Sequence, residues 1–363
     1  MNELSLLHCL ALPVTALLIV LLRHHAPRLG VVDVPGGRKH HHGDIPLVGG
    51  LGMFGGLALI ALLTGSFFTA QAPFFAAMSL LVITGFLDDR DGLSPRIRFA
   101  LQAVAALIMV YGADVRLTNF GDLFGLGDVT TGRFSAPITV FAVLGVINAI
   151  NMIDGVDGLA GGVSLIALLV FSAFAAAGGF LDLTLLSPLV CAVAGFMLFN
   201  LRTPWRSHAS VFMGDVGSVL LGFSLAWYAV DLAQARHAFT PITAIWILAI
   251  PLMDTTALMI RRVRKGRSPF SADREHLHHI LLRAGFTPGQ TVAIVYVLSL
   301  LLAAFGVAGW SQGVPEYMMF YSFMALFGLY YYGVHRAWKL MKQLRRLHDG
   351  VETLSHIPET VRD

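Results

Sequence analysis

Pro137-Ile-Thr-Val-Phe-Ala-Val-Leu-Gly-Val-Ile-Asn148-Ala-Ile-Asn151-Met-Ile-Asp154-Gly-Val-Asp157-Gly158 opens as a membrane span and closes as a polar face. Asn148, Asn151, Asp154 and Asp157 recur every three residues, which keeps them on one slowly drifting stripe of a helix. Asn and Asp are poor helix formers and costly at membrane depth. Helix capping explains one or two of the four positions but not the series. The stripe therefore reads as a functional face at the end of a span. Gly155, Gly158, Gly161 and Gly162 let a ligand approach the backbone, although glycine in such helices also serves packing.

The rest of the chain has the same character. Of 363 residues, 56% are apolar and 13% charged, and the mean hydropathy is +0.72. A soluble domain carries about 25% charged residues, so an ordinary cytosolic enzyme is excluded. A disordered chain is excluded as well, because disorder needs low hydrophobicity and high charge. Apolar stretches fall at Leu4 to Leu22, Val48 to Ala70, Pro73 to Leu87, Phe99 to Tyr111, Pro137 to Ile153, Leu159 to Ala177, Leu185 to Leu201, Val216 to Ala233, Pro241 to Ile260, Thr291 to Trp310 and Tyr317 to Arg336. The expectation is an all-α, polytopic integral membrane protein of about 11 transmembrane helices. The first stretch has its basic residues after it rather than before it, so it reads as a retained span and not a leader. Cys9 and Cys191 lie in apolar runs, which argues against a disulfide framework.

Basic residues orient the spans. With the N-terminus periplasmic and the C-terminus cytoplasmic, 22 of the 25 Lys and Arg face the cytoplasm, leaving Arg116, Arg133 and Arg236 outside. The pI near 9.0 thus reflects topology, and no nucleic acid partner is expected. Residues 1–338 read as a single transmembrane catalytic domain. Residues 339–363 read as a basic cytoplasmic tail whose Lys342, Arg345 and Arg346 suit anionic headgroups.

On this topology every polar cluster lies at the cytoplasmic interface. Asp88 and Asp89 end the third span, where adjacent carboxylates repel unless a cation is near; a divalent metal and a solvated end balanced by Arg90 both answer that. Asp215, between Gly214 and the eighth span, fits a helix cap as well as a ligand. Sparse oxygen donors completed by a diphosphate suit Mg²⁺ or Mn²⁺. His276, His278 and His279 have no Cys partner and lie among Arg261, Arg262, Arg264, Lys265, Arg267 and Arg274, which favours phosphate over zinc. Asp254, inside the ninth span, is functional by default. Together these features suggest a soluble anionic donor, an anionic lipid acceptor and a divalent metal.

The motifs Gly30-Val-Val-Asp-Val-Pro35, Arg38 to Gly43, Ile45 to Gly50, Leu87-Asp-Asp-Arg90, Asn148 to Leu159, Val211 to Ser218 and Arg261 to His279 resemble the polyprenyl-phosphate N-acetylhexosamine-1-phosphate transferases, in order and over nearly the whole chain. The loop Arg264 to His279 looks like the branch that uses UDP-N-acetylglucosamine (UDP-GlcNAc). The resemblance implies that Asn151 and Asp215 hold Mg²⁺ (or Mn²⁺) and that Asp88 and Asp89 are catalytic. It places Arg98, Asn148, Asp154, Asp157, Arg274, His276, His278 and His279 against substrate, with Asp157 helping to read uracil. It further implies undecaprenyl phosphate as acceptor, a bacterial inner-membrane location with the site on the cytoplasmic face, and the first step of O-antigen or a related surface polysaccharide. A homodimer is compatible with it. The relatives usually read Asp-Asp-Arg-x-Asp, whereas here the third acid is Asp91 and the fifth position Gly92; His40 replaces a commonly basic residue. The rival readings are the same chemistry on another UDP-HexNAc (FucNAc or QuiNAc) and, from another class, a transporter or lipid flippase.

Overall fold

The structure, a computed structural model, describes residues 3–34, 43–69, 71–180, 185–268 and 276–336. Its helices are α1 (Glu3–Cys9), α2 (Ala11–Leu29), α3 (Gly49–Leu63), α4 (Ala72–Asp91), α5 (Pro95–Gly112), α6 (Ser135–Ile153), α7 (Leu159–Ala177), α8 (Leu186–Asn200), α9 (Gly214–Val230), α10 (Pro241–Ile247), α11 (Ala249–Arg264), α12 (Leu277–Arg283), α13 (Pro288–Ser311) and α14 (Glu316–His335). A two-residue antiparallel pair, β1 (Val32–Asp33) and β2 (Ile45–Pro46), sets Val32 opposite Pro46 and Asp33 opposite Ile45. Among the described residues, six helices are long and apolar enough to cross a membrane, or seven if α10 and α11 form one bent span. The chain is thus a mostly helical, multi-pass membrane protein.

Helix starts follow local chemistry. Pro73, Pro95, Pro241 and Pro288 stand in first turns, where a missing N–H loses nothing. Ser94 caps α5 by accepting from Ile97 N–H. Thr287 and Gln290 form a reciprocal capping box at α13, at 3.2 and 2.8 Å.

Helix α9 is the axis of the molecule. All its residues from Val216 to Val230 are buried, and α3, α4, α6 and α7 surround it. Such an arrangement needs small residues where backbones meet. At Gly50 a Cβ would run into the backbone of Met213 and Gly217, so only glycine allows α3 to approach the start of α9 this closely. Gly50 N–H also donates to Met213 O at 3.0 Å, and Gly49 N–H to Phe212 O at 3.0 Å.

The expected span from Pro241 to Ile260 is not one straight helix. It breaks at Leu248 with a bend of 83° between α10 and α11. Pro251 explains the break: it has no N–H for the Ile247 carbonyl, and its ring excludes that carbonyl from the helical position. The bend brings α11 across the polar end of α6.

Candidate active site

The C-terminal ends of α4 and α6 and the N-terminal end of α9 meet at one end of the bundle. There Asp89 reaches across from α4, and its carboxylate accepts from Asp215 N–H at 2.8 Å and Val216 N–H at 3.3 Å. Gly214, at φ +69°, lies against that carboxylate and makes the turn into α9 in a backbone conformation that favours glycine. Asp88 is held by Leu93 N–H at 2.7 Å and by Arg98 Nη1 at 2.7 Å. Its counter-charge is therefore Arg98 on α5, while Arg90 pairs with exposed Asp91 at 3.5 Å.

Asn151 joins α6 to α9. Its Nδ2 donates to Asp215 Oδ1 at 2.7 Å and to Ser218 Oγ at 2.8 Å. One turn earlier, Asn148 Nδ2 donates to Gln102 Oε1 at 3.0 Å and Leu144 O at 2.8 Å. The stripe then leaves the helix: Asp154 and Asp157 lie in the loop before α7. Asp157 accepts from Arg202 Nε at 2.9 Å and Ala209 N–H at 2.9 Å. Asp154 is exposed to the cavity described below, on the same wall as Asp157 and Asp215.

These residues line two adjoining hollows. The larger, of about 820 Å³, is bounded by Asp33, Asp89, Asn151, Asp154, Asp157, Asn200, Arg202, Asp215, His279 and Arg283, among others. The smaller, of about 250 Å³, is bounded by Asp88, Arg98, Gln102, Asn148, Asn151, Asp215, Arg262 and His276 with apolar neighbours. Asn151 and Asp215 belong to both and form the wall between them. Phe99 and Asn148 of the smaller hollow also border an apolar groove of about 440 Å³ that runs along α6, α9, α10 and α11.

The three histidines are placed differently. His276 Nδ1 lies 2.8 Å from Asp254 Oδ2, and its ring borders the smaller hollow. His279 borders the larger one. His278 is 2% exposed beneath Gly155, and its Nε2 has no hydrogen-bond partner among the described residues. Burial, with the neighbouring charges of His279 and His276, lowers its pKa to about 3. Arg274, residues 35–42 and the tail from 339 lie outside the described residues.

Four residues of the site carry no motif legible in the chain. Gln102, Asn200 and Arg202 line the hollows from distant segments and Tyr330 on α14 donates to Asp254, the partner of His276; Asn200 accepts from Gly158 N–H at 2.8 Å and donates to Val211 O at 3.0 Å. The available signal was a lone amide inside an apolar helix, as at Gln102 and Asn200.

The donor set is all oxygen apart from the histidines. No three His, Cys, Asp or Glu side chains converge as a metal cage among the described residues. Asn151 and Asp215, one amide and one carboxylate at the boundary of both hollows, suit a cation that completes its shell with phosphate and water, the habit of Mg²⁺.

The glycosyl transferase family 4 signature matches residues 72–233. The chain is 39% identical over 336 residues to the undecaprenyl-phosphate alpha-N-acetylglucosaminyl 1-phosphate transferase of Salmonella typhi, covering 92% of this chain and 91% of the relative. It is 38% identical to the enzyme of that name from Escherichia coli (strain K12), with the same coverage. To that from Haemophilus influenzae it is 37% identical over 333 residues, covering 91% of this chain and 94% of the relative. With its acidic helix ends, paired hollows and near full-length likeness to these transferases, the chain belongs to glycosyl transferase family 4.

Proposed function

We propose that this membrane enzyme transfers N-acetylglucosamine 1-phosphate from UDP-GlcNAc to undecaprenyl phosphate, releasing UMP. The observation that carries the reading is the pair of hollows divided by Asn151 and Asp215: a larger polar one sized for a nucleotide sugar, and a smaller one that runs into an apolar groove suited to a polyprenyl chain. Across that wall two anionic substrates can approach one another.

In the reaction an oxygen of the lipid phosphate attacks the β-phosphorus of the donor. The bond from that phosphorus to the bridging oxygen breaks, UMP leaves with the electron pair, and a lipid-diphosphate-sugar remains. A phosphate monoester is already largely ionised at neutral pH, so positioning and charge neutralisation are the main requirements. Asp88 and Asp89 are the catalytic acids, with Arg98 holding Asp88 and available to the acceptor phosphate. Asn148 borders the acceptor side; Asp154 and Asp157 border the donor side, where Asp157 reads the base. His276, His279 and Arg274 serve phosphate and sugar recognition, and His278 packs beneath Gly155 behind them. Asn151 and Asp215 would hold Mg²⁺, which when bound neutralises phosphate charge.

The reading includes eleven crossings, with the N-terminus periplasmic and the site on the cytoplasmic face of the bacterial inner membrane. Helices α3 and α8, 15 residues each, are short for a perpendicular crossing; they pack against each other and against α2. The lipid-linked product would start O-antigen or a related surface polysaccharide.

The test is UMP release by detergent-purified protein given UDP-GlcNAc and undecaprenyl phosphate, with Mg²⁺ and then with EDTA. Release that requires both lipid and metal is expected. Release only with another UDP-HexNAc would overturn the donor assignment, and silence with every donor would overturn the transferase.

A further inference from the structure

Asp254 is the most deeply buried acid of the described membrane segments, at 1% exposure, and α11 carries it next to the bundle's polar end. Its carboxylate has three donors, drawn from two separate parts of the chain. Tyr330 OH on α14 donates to Oδ1 at 2.5 Å, Leu277 N–H at the start of α12 donates to Oδ1 at 3.0 Å, and the His276 ring meets Oδ2 at 2.8 Å. Two of these contacts are donors by their chemistry, and a carboxylate only accepts. His276 therefore bears its proton on Nδ1, and Nε2 is the nitrogen the ring presents elsewhere. The ring borders the smaller hollow, with Asp88, Arg98 and Arg262, and not the larger one.

We propose that Asp254 and Tyr330 are positioning residues that fix the tautomer and orientation of His276 against the acceptor-side hollow. Tyr330 adds a second donor to the Asp254 Oδ1 that Leu277 N–H already holds, so α14, remote in sequence from every acidic motif, becomes part of the reaction geometry. The two cavity-lining histidines divide accordingly: His276 serves the lipid phosphate, and His279 the nucleotide sugar. This rests on the transferase reading above. All three members of the relay lie beyond the 72–233 stretch that carries the family signature.

The test varies UDP-GlcNAc and undecaprenyl phosphate independently and follows UMP release by the full chain. Removing one of three hydrogen bonds to the Asp254 carboxylate by Tyr330→Phe is expected to lower kcat roughly three- to tenfold, and Asp254→Asn, which removes the charge itself, roughly 10- to 100-fold. KM for UDP-GlcNAc should stay within about twofold in both, because the donor hollow is untouched. In a His276→Gln background Tyr330→Phe should cost less than about twofold, since its effect runs through the ring. An undiminished loss in that background, or a parallel rise in KM for UDP-GlcNAc, would overturn the proposal. Should Asp254→Asn fail to fold, Tyr330→Phe carries the test. ¹⁵N spectra of histidine-labelled protein give a readout independent of turnover: His276 protonated at Nδ1 is expected, altered by Asp254→Asn, and a mixed tautomer overturns the relay. An inactive wild type with that Nδ1 signature intact would sink the transferase reading and leave the relay standing.

Discussion

Asp89 on α4 caps the helix that carries Asp215, taking the Asp215 N–H at 2.8 Å and the Val216 N–H at 3.3 Å. One carboxylate thus orders the α9 terminus and faces the donor cavity. The two duties separate by mutation. Asp89→Asn keeps an acceptor for the helix end and should melt within a few degrees of wild type, while UMP release falls at least tenfold. Asp89→Ala should in addition lose about 1 kcal/mol of stability, the usual worth of a cap. Full activity in Asp89→Asn would leave Asp89 as a cap alone.

Asn151 and Asp215 are bonded to each other at 2.7 Å, so either substitution disturbs the other residue. Asp215→Asn and Asn151→Ala are both expected to raise the Mg²⁺ concentration for half-maximal UMP release by at least about tenfold. Mg²⁺ titrations in which only the maximal rate changes would exclude a metal-holding role for the pair.

His278 gives the fold an acid sensitivity. Its pKa falls from 6.5 to about 3 on burial, so the unfolded chain binds a proton that the folded chain refuses between those values. Stability should rise with pH across that window and fall on acidification, by up to about 1.4 kcal/mol per pH unit from this residue. Melting temperatures between pH 4 and pH 7 should show a shallower slope for His278→Gln than for wild type; equal slopes would mean the ring is protonated in the fold.

Gly50→Ala places a methyl against the Met213 and Gly217 backbone, which cannot yield as a side chain can. A loss of about 1–3 kcal/mol is expected, with activity falling as the α9 terminus shifts. Gly328→Ala on α14 meets nothing within 4 Å and should be neutral or stabilising by up to about 1 kcal/mol. Thermal unfolding in one detergent compares the two.

Hydropathy alone located the helices well. Leu159 to Ala177 coincides with α7 at both ends, and every expected apolar stretch falls on a helix, because apolar length and flanking Pro or Gly are local properties. The local view failed at Pro251, where the stretch from Pro241 to Ile260 proved to be two helices. The Asn148 to Asp157 stripe did mark the site, but its periodicity ended at Ile153, and the last two acids reach the cavity from a loop. What could not be read was partnership: Asp157 with Arg202, Asp88 with Arg98, Asp254 with Tyr330. Such pairs are set by which helices become neighbours, information spread over the whole chain.

The wall formed by Asn151 and Asp215 is thin enough that the two hollows behave as adjacent rooms sharing a partition. A single compound with a uridine-like head in the larger and an alkyl tail in the groove beyond the smaller would need only a short bridge past these two side chains. Its second anchor would then bind at an effective concentration on the order of millimolar. Weak ligands for each side, joined at that point, would make a far tighter inhibitor than either alone.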